Sequence, residues 1–598
     1  MTRLTTGAAP TRRRARRTAI AALVVLTACG TGMLPASSSA AQESHAAHVS
    51  AAAGAENPIV SINDSDAPEQ IREKAAKVTP TARQLAWQQE ELTGFVHFGP
   101  NTFSGREWGS GAEDPDVFNP SSLDTDQWAR TFKDAGFKKV ILTAKHHDGM
   151  LLFPSAYSSH GVASSSWRNG QGDVLKEFTD SARKVGLKVG VYLSPADGSE
   201  LPHQWWKEKW VPGIVKKHDA GQSLTTIEQS TYDDRDRTPG GQGRYGNGSE
   251  KKTVTIPSNG GDGPKFTVEA DDYNTYYMNT LYEVLTKYGK FDEVWLDGAN
   301  PWKDAGLNQS YNFTDWYKMI RMLQPSAGVF GGPDIRWVGN EDGLTTRTNE
   351  WSVVPQKGAA EPDGERTPTY GFQGDDIASD DKLTTDSDYL AWHPAECDGR
   401  LQGPNWFWNK DAQPISLDAL KNMYRNSVGK NCQLLLNVAP DNNGRVAGPE
   451  EARMREFGGW IRSTFDTDHA EGATAADDAG TSHTPGNDPG NVLDDTDDTA
   501  WQPTGTSGNL VLDLGSDKTF NTVNVKENIQ VGQRTTGFAV DVWDGQSWKE
   551  AGKATTIGYR RILKLSESVT TSKVRLRITS SRALPPAIAT VSLHNDQS

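Results

Sequence analysis

The chain has 598 residues, 35% of them hydrophobic and 23% charged, with 58 Gly and 31 Pro. That is the composition of a soluble, loop-rich protein of two or three domains, and it excludes a collagen-like chain, a coiled coil and a wholly disordered one. Its 77 acidic and 62 basic residues leave a net charge of −15, the wrong sign for a nucleic-acid backbone binder, while 19 Trp offer the flat, polar-edged faces that suit sugar rings as well as cores.

Residues 1–40 read as a signal peptide. Arg12, Arg13, Arg14, Arg16 and Arg17 make a basic start, and 19–30 is an apolar stretch too short to cross a bilayer as a helix of about 20 residues. Small residues follow, and cleavage is expected after Ala40. The mature chain is therefore expected to be secreted, with no transmembrane segment. The alternative is a lipoprotein anchored through Cys29, because Leu26-Thr27-Ala28-Cys29 resembles a lipobox. The segment holds six Arg and no Asp or Glu, so the mature chain carries 56 basic and 77 acidic residues, which disfavours anionic membranes. Cys397 and Cys432 are left after cleavage. A disulfide and two buried thiols both fit, and no metal-ligand spacing is present.

Residues 41–78 read as a linker. From 79 to 465, apolar β-branched runs alternate with amphipathic helical patterns. The runs are 93–99, 138–145, 187–195, 292–298, 327–337 and 433–440. The helical segments ending at Gly136, Gly186 and Gly289 each close on the glycine that a C-terminal cap requires. Strand–helix repetition over this length predicts a TIM-like (β/α)8 barrel with catalytic groups at the strand C-terminal ends. Residues 221–268 are a polar insertion, a loop or small hairpin at the rim, and 356–414 is a second loop-rich region. Residues 466–490 read as a linker. Beyond them the period changes to two, and 491–598 is predicted to be an all-β sandwich.

Four signals fall at barrel strand ends. His97 in FVHFG is weak alone. His146 and His147 in KHHDG serve one pocket only if the strand has already ended, as the Asp-Gly that follows suggests. Neutral imidazoles there can grip sugar hydroxyls, whereas a metal site would want a third ligand. Trp295 and Asp297 in WLDG put a carboxylate beside an aromatic wall, a nucleophile's setting. Glu341 in WVGNEDG supplies a second carboxylate on the next loop, with Glu350 as its rival. Two such groups can flank a glycosidic bond.

Taken in order, HFG, EWG, KHHDG, VYLSP, WLDG, RWVGNEDG, NEWS, PAECD and LLLNVAPDNNG resemble the α-L-fucosidases of glycoside hydrolase family 29, over about 80–465. RWVGNE and the sandwich look most like the 1,3-1,4-α-L-fucosidase subfamily. The resemblance implies a retaining mechanism with no metal in the catalytic site. It makes Asp297 the nucleophile and Glu341 the acid/base. It places His97, Glu107, Trp108, His146, His147, Tyr192 and Trp295 around fucose, with further sugar contacts at Trp351, Glu396 and Trp408. Arg336 is either a pocket residue or a salt-bridge partner. Fucose lacks a 6-hydroxyl, so its site needs an apolar contact for the methyl beside dense donors, which this mixture supplies.

The terminal sandwich resembles discoidin-like carbohydrate-binding modules, and 491–503 matches their opening motif, where acidic residues and carbonyls can hold a structural Ca2+. Trp543 and Trp548 are sugar platforms or sandwich core. The expected substrates are α-1,3/1,4-fucosylated Lewis-type oligosaccharides and glycoproteins, cleaved by a monomer. A broad fucosidase, a fucose-binding lectin and a transglycosylase are the alternatives.

Overall fold

A computed structural model describes residues 56–360 and 387–597. The signal peptide with Cys29, the start of the first linker and residues 361–386 of the second loop region lie outside the described residues.

Eight parallel strands build the first domain: β1 Leu92–Val96, β2 Lys139–Lys145, β3 Lys188–Leu193, β4 Glu293–Trp295, β5 Gly328–Phe330, β6 Arg336–Trp337, β7 Ala395–Arg400 and β8 Cys432–Asn437. They lie in the order β5-β4-β3-β2-β1-β8-β7-β6, and a bridge from Phe330 to Ile335 nearly closes the ring. Most strand residues are buried, as expected where helices cover the outside and side chains fill the inside. The helices follow their sequence signals. Asp124, Asp173, Asp271 and Ser416 cap Thr125–Asp134, Val174–Lys184, Asp272–Lys287 and Leu417–Asn426, and Gly136, Gly186 and Gly289 all take positive φ.

Two sequence expectations change, and one alternative left open is decided. The run 327–337 is two strands, because Gly331 to Asp334 break it. Gly331 has a φ of 69°, and no helix separates β5 from β6. The region 356–414 contains β7, whose sequence AECDGR lacks any apolar run; its acids are buried by tertiary partners instead. Cys397 and Cys432 form a disulfide that ties β7 to β8.

Both linkers are partly structured. Ile59–Ser61 joins a small antiparallel sheet with Tyr389–Trp392 and Val353–Gln356. The strand Thr474–Asp477 pairs with Asp513–Leu510 in the sandwich. The polar insertion folds as a helix, Thr226–Asp233, and a hairpin, Lys252–Ile256 with Phe266–Ala270.

The C-terminal antiparallel sheet is organised by two long strands, Gly508–Glu527 and Arg561–Ser581. It is locked to the barrel. Arg560 pairs with Glu91 at 2.6 Å, the Tyr559 N–H donates to Asn431, and Asn349 donates to the Thr556 and Ile557 carbonyls. The Gln533 side chain accepts from the Ser352 N–H. The sandwich thus braces the segment 348–352 that follows the Glu341 loop. Among the described residues no helix is long and apolar enough to cross a membrane.

Candidate active site

The strand C-terminal ends bring most of the expected residues together. β1 ends one residue before His97. The His97 N–H and ring Nδ1 both lie on the Asn437 side-chain oxygen, at 3.1 and 2.9 Å, while the Asn437 NH2 donates to the Trp406 carbonyl. This orientation makes Nδ1 the donor and leaves Nε2 as an acceptor. Burial pushes the imidazole down to about 3, so it is neutral.

β2 ends at Lys145, and His146 to Gly149 turn sharply, with the Gly149 N–H on the His146 carbonyl. A Cβ on Gly149 would meet the Asp197 carboxylate at 2.0 Å, and its φ is 84°, so the turn depends on glycine. Both imidazoles consequently enter the same site, 4.1 Å apart by centroid. Burial depresses both. His147 Nδ1 lies 2.7 Å from the Ser194 hydroxyl, whereas His146 Nδ1 is buried with no protein partner. A buried orphan nitrogen of this kind suits a ligand hydroxyl.

Asp297 follows β4 in a loop. Its carboxylate accepts from Tyr192 OH at 3.0 Å and from the Ala299 N–H at 2.8 Å, and His147 Nε2 stands 3.7 Å away. Its side chain is 26% exposed, enough for a substrate to reach it. Trp295 stacks on Phe330, with centroids 3.9 Å apart, and on Tyr192 at 5.1 Å. Trp108 packs on His147 at 4.3 Å. This is an aromatic wall interrupted by polar groups, as a sugar with one apolar edge requires.

Glu341 lies in the loop after β6, with its side chain 48% exposed. One oxygen, Oε2, accepts from the Trp406 indole at 3.2 Å and from Arg400 at 3.4 Å. Glu107 accepts the Trp406 N–H at 2.7 Å. Burial pushes Glu107 up to about 7, against the pull of that N–H and of Arg400 and with the push of Glu341. Asp398, on β7, accepts from the Trp337 indole at 2.6 Å. Burial pushes it up to about 8, opposed by that bond and reinforced by Glu341 and Asp297. Asp398 therefore feels the charge of both candidate carboxylates.

Other placements differ from the sequence reading. Trp351 is buried in the core between barrel and sandwich, beneath the Arg582 guanidinium. It is not brought to the pocket. Glu396 is fully buried on β7 and accepts the Trp295 indole N–H at 2.8 Å, so it supports the wall. Burial, then Glu293, pushes it well above the carboxylate range. Trp408 is half-buried; the ring contacts to His97 and His146 come from Trp406 and Phe407. Arg336 is a buried salt-bridge partner. It meets Glu350 at 2.6 Å, and Arg347 meets the same carboxylate at 2.9 Å. Burial alone would raise Glu350, but the two guanidiniums hold it below its ordinary value, which removes it as a proton donor.

Sequence reasoning missed Trp406, Phe407, Asp398, Arg400 and Asn437. Asn437 carried a signal, a lone amide closing the apolar run LLLN. The others sit on a loop and on a strand without periodicity.

Among the described residues, no three His, Cys, Asp or Glu side chains converge as metal ligands. In the sandwich, Asp497 is paired with Lys526 and Tyr559, and Asp498 with Gln530. Trp543 and Trp548 are half-buried and edge-to-face, with Arg575 over Trp548 at 4.7 Å.

A parallel barrel with two carboxylates in the loops at its strand C-terminal ends, beside an aromatic, histidine-rich wall, fits a carbohydrate-hydrolase class of site. The alpha-L-fucosidase family model matches residues 86–464, and the F5/8 type C domain model matches residues 473–590. The chain belongs to the alpha-L-fucosidase family of glycoside hydrolases and carries a C-terminal discoidin-like domain. Alpha-L-fucosidase 1 of Arabidopsis thaliana is 33% identical over 532 residues, 87% of this chain and 88% of that protein. A Bacteroides ovatus protein of known structure is 34% identical with a TM-score of 0.70, covering 91% of this chain and 78% of its own. A Ruminococcus gnavus GH29 fucosidase solved in complex with fucose is 30% identical with a TM-score of 0.67, covering 87% and 96%.

Proposed function

We propose that this chain is a secreted, retaining exo-α-L-fucosidase that releases α-1,3- and α-1,4-linked fucose from branched Lewis-type glycans. The observation that carries the catalytic reading is Asp297, partly exposed and fixed by the Tyr192 hydroxyl and the Ala299 N–H.

In the first step an Asp297 oxygen attacks the anomeric carbon as the glycosidic bond breaks, and Glu341 gives its proton to the departing oxygen. In the second, water attacks the anomeric carbon, Glu341 takes the water's proton, and the bond to Asp297 breaks. Neutral His97 and His146 accept or donate to fucose hydroxyls, and the Trp295 wall takes the apolar edge. The fucose bound to the Ruminococcus gnavus relative supports this sugar.

The linkage preference is supported by the RWVGNE element and by the long segments 221–268 and 356–414, which supply material for a neighbouring sugar's subsite. Secretion is supported by the Arg-rich, apolar start of the sequence and by the Cys397–Cys432 disulfide, which fits an oxidising compartment.

The test is fucose release from a Lewis trisaccharide, an α-1,2-fucosylated lactose and an aryl fucoside, with the anomer of the first product followed by NMR. Release mainly from the Lewis substrate, as the α-anomer, is expected. Equal release from all three makes the enzyme a broad fucosidase, and a β-anomer first product overturns retention.

A further inference from the structure

β7 places Glu396, Asp398 and Arg400 two residues apart, on one face of the strand. Each holds a different part of the site. Glu396 accepts the Trp295 indole, Asp398 accepts the Trp337 indole, and Arg400 reaches Glu341. Arg400 is in register with Asn437 on β8, the residue that fixes His97 and the Trp406 carbonyl. Its guanidinium also lies over the Trp406 ring, 5.1 Å from the centroid. It and the Trp406 indole N–H both donate to Glu341 Oε2. Two donors on one oxygen leave Oε1 for the catalytic proton.

We propose that Arg400 is a positioning residue for Glu341, holding Oε2 so that Oε1 exchanges the proton with the glycosidic oxygen. The proposal rests on the reading of Glu341 as acid/base. An exposed ion pair by itself contributes little stability. Here the guanidinium also packs on the ring that supplies the second donor, so its consequence is geometric. The other charged or titratable groups that face Glu341 are Glu107 and Asp398, and neutral His97 faces Arg400.

The experiment compares full-length R400M, R400K and E341Q with the parent on a fucosylated oligosaccharide and on a dinitrophenyl fucoside, whose leaving group needs no proton. R400M should lose about tenfold in kcat on the oligosaccharide with little change in KM, and should keep its kcat/KM on the dinitrophenyl substrate, which reports only the first step. R400K should not restore the full kcat, since an ammonium lacks the planar fork and the ring contact. A folded R400M with parental kcat overturns the proposal and leaves Glu341 in its role. So does a rise in KM alone, which would make Arg400 a sugar contact. If R400M fails to fold, an R400K with parental kcat overturns it equally. An E341Q that keeps its oligosaccharide activity overturns the Glu341 reading itself, and the proposal with it.

Discussion

The two carboxylates of the site are held in opposite ways. Asp297 sits just past a short barrel strand and bonds to a neighbouring strand's Tyr192 and to its own turn. Glu341 sits on the loop after β6, half exposed, and its donors arrive from β7 and from the loop carrying Trp406. The wall behind Asp297 is packed aromatic core, continuous from Phe330 through Trp295 to Tyr192. The loop of Glu341 leans on backbone contacts. The Gly343 N–H donates to the Asp398 carbonyl at 2.8 Å, and the chain beyond it is pinned to the sandwich at Asn349 and Ser352. A nucleophile must be placed to within a fraction of an ångström of carbon, whereas the acid/base must admit a leaving sugar and then a water. Rigidity on one side and a propped loop on the other match those demands.

The largest test of this contrast is Asp297→Ala. It should lower kcat by about 10⁴-fold or more while the circular dichroism spectrum and melting temperature stay close to the parent, because the packed wall does not depend on the carboxylate. Appreciable parental turnover would remove Asp297 from the mechanism. Glu341→Gln should be selective. Oligosaccharide hydrolysis should fall by about 10²–10⁴-fold, dinitrophenyl fucoside should still form the intermediate, and added azide should restore turnover as α-fucosyl azide. Equal losses on both substrates would contradict a proton-transfer role.

Gly399→Ala sharpens the comparison at the prop. A Cβ there would stand 2.6 Å from Gly343 Cα and 2.8 Å from its nitrogen, so the Glu341 loop must move. Overpacking of this kind costs about 1–3 kcal/mol. Oligosaccharide kcat should drop roughly tenfold, with dinitrophenyl fucoside spared. Equal kcat values for variant and parent would show that the loop is not propped from β7.

The last effect is on stability. The Asp398 carboxyl titrates near 8 when folded, against an ordinary value of 3.8. The stability its proton confers is present below about pH 4 and lost as pH rises through 8. Asp398→Asn cannot ionise, so between pH 5 and pH 8 it should lose less stability than the parent, by about 3–4 kcal/mol, read from denaturant midpoints. A parallel pH dependence in the two proteins would mean that Asp398 is already ionised when folded.

The sequence by itself determined whatever local periodicity and turn chemistry carry. The apolar runs of β1, β2, β3, β4 and β8, the glycine-closed helices, the Asp-Gly turn that lets His146 and His147 share a pocket, and Asp297 beside Trp295 were all legible. Each depends on residues within a few positions of one another. Tertiary structure alone decided the rest. β7 has no strand-like pattern, since its acids are buried against distant indoles, so a hydrophobicity reading passes over it. Whether Glu341 or Glu350 can serve as the acid depends on Arg336 and Arg347 occupying the latter, and Trp351 leaves the pocket because the sandwich's Arg582 covers it. A charge or an indole acts across space on groups that the chain order separates, and spacing along the chain does not record which of them will meet.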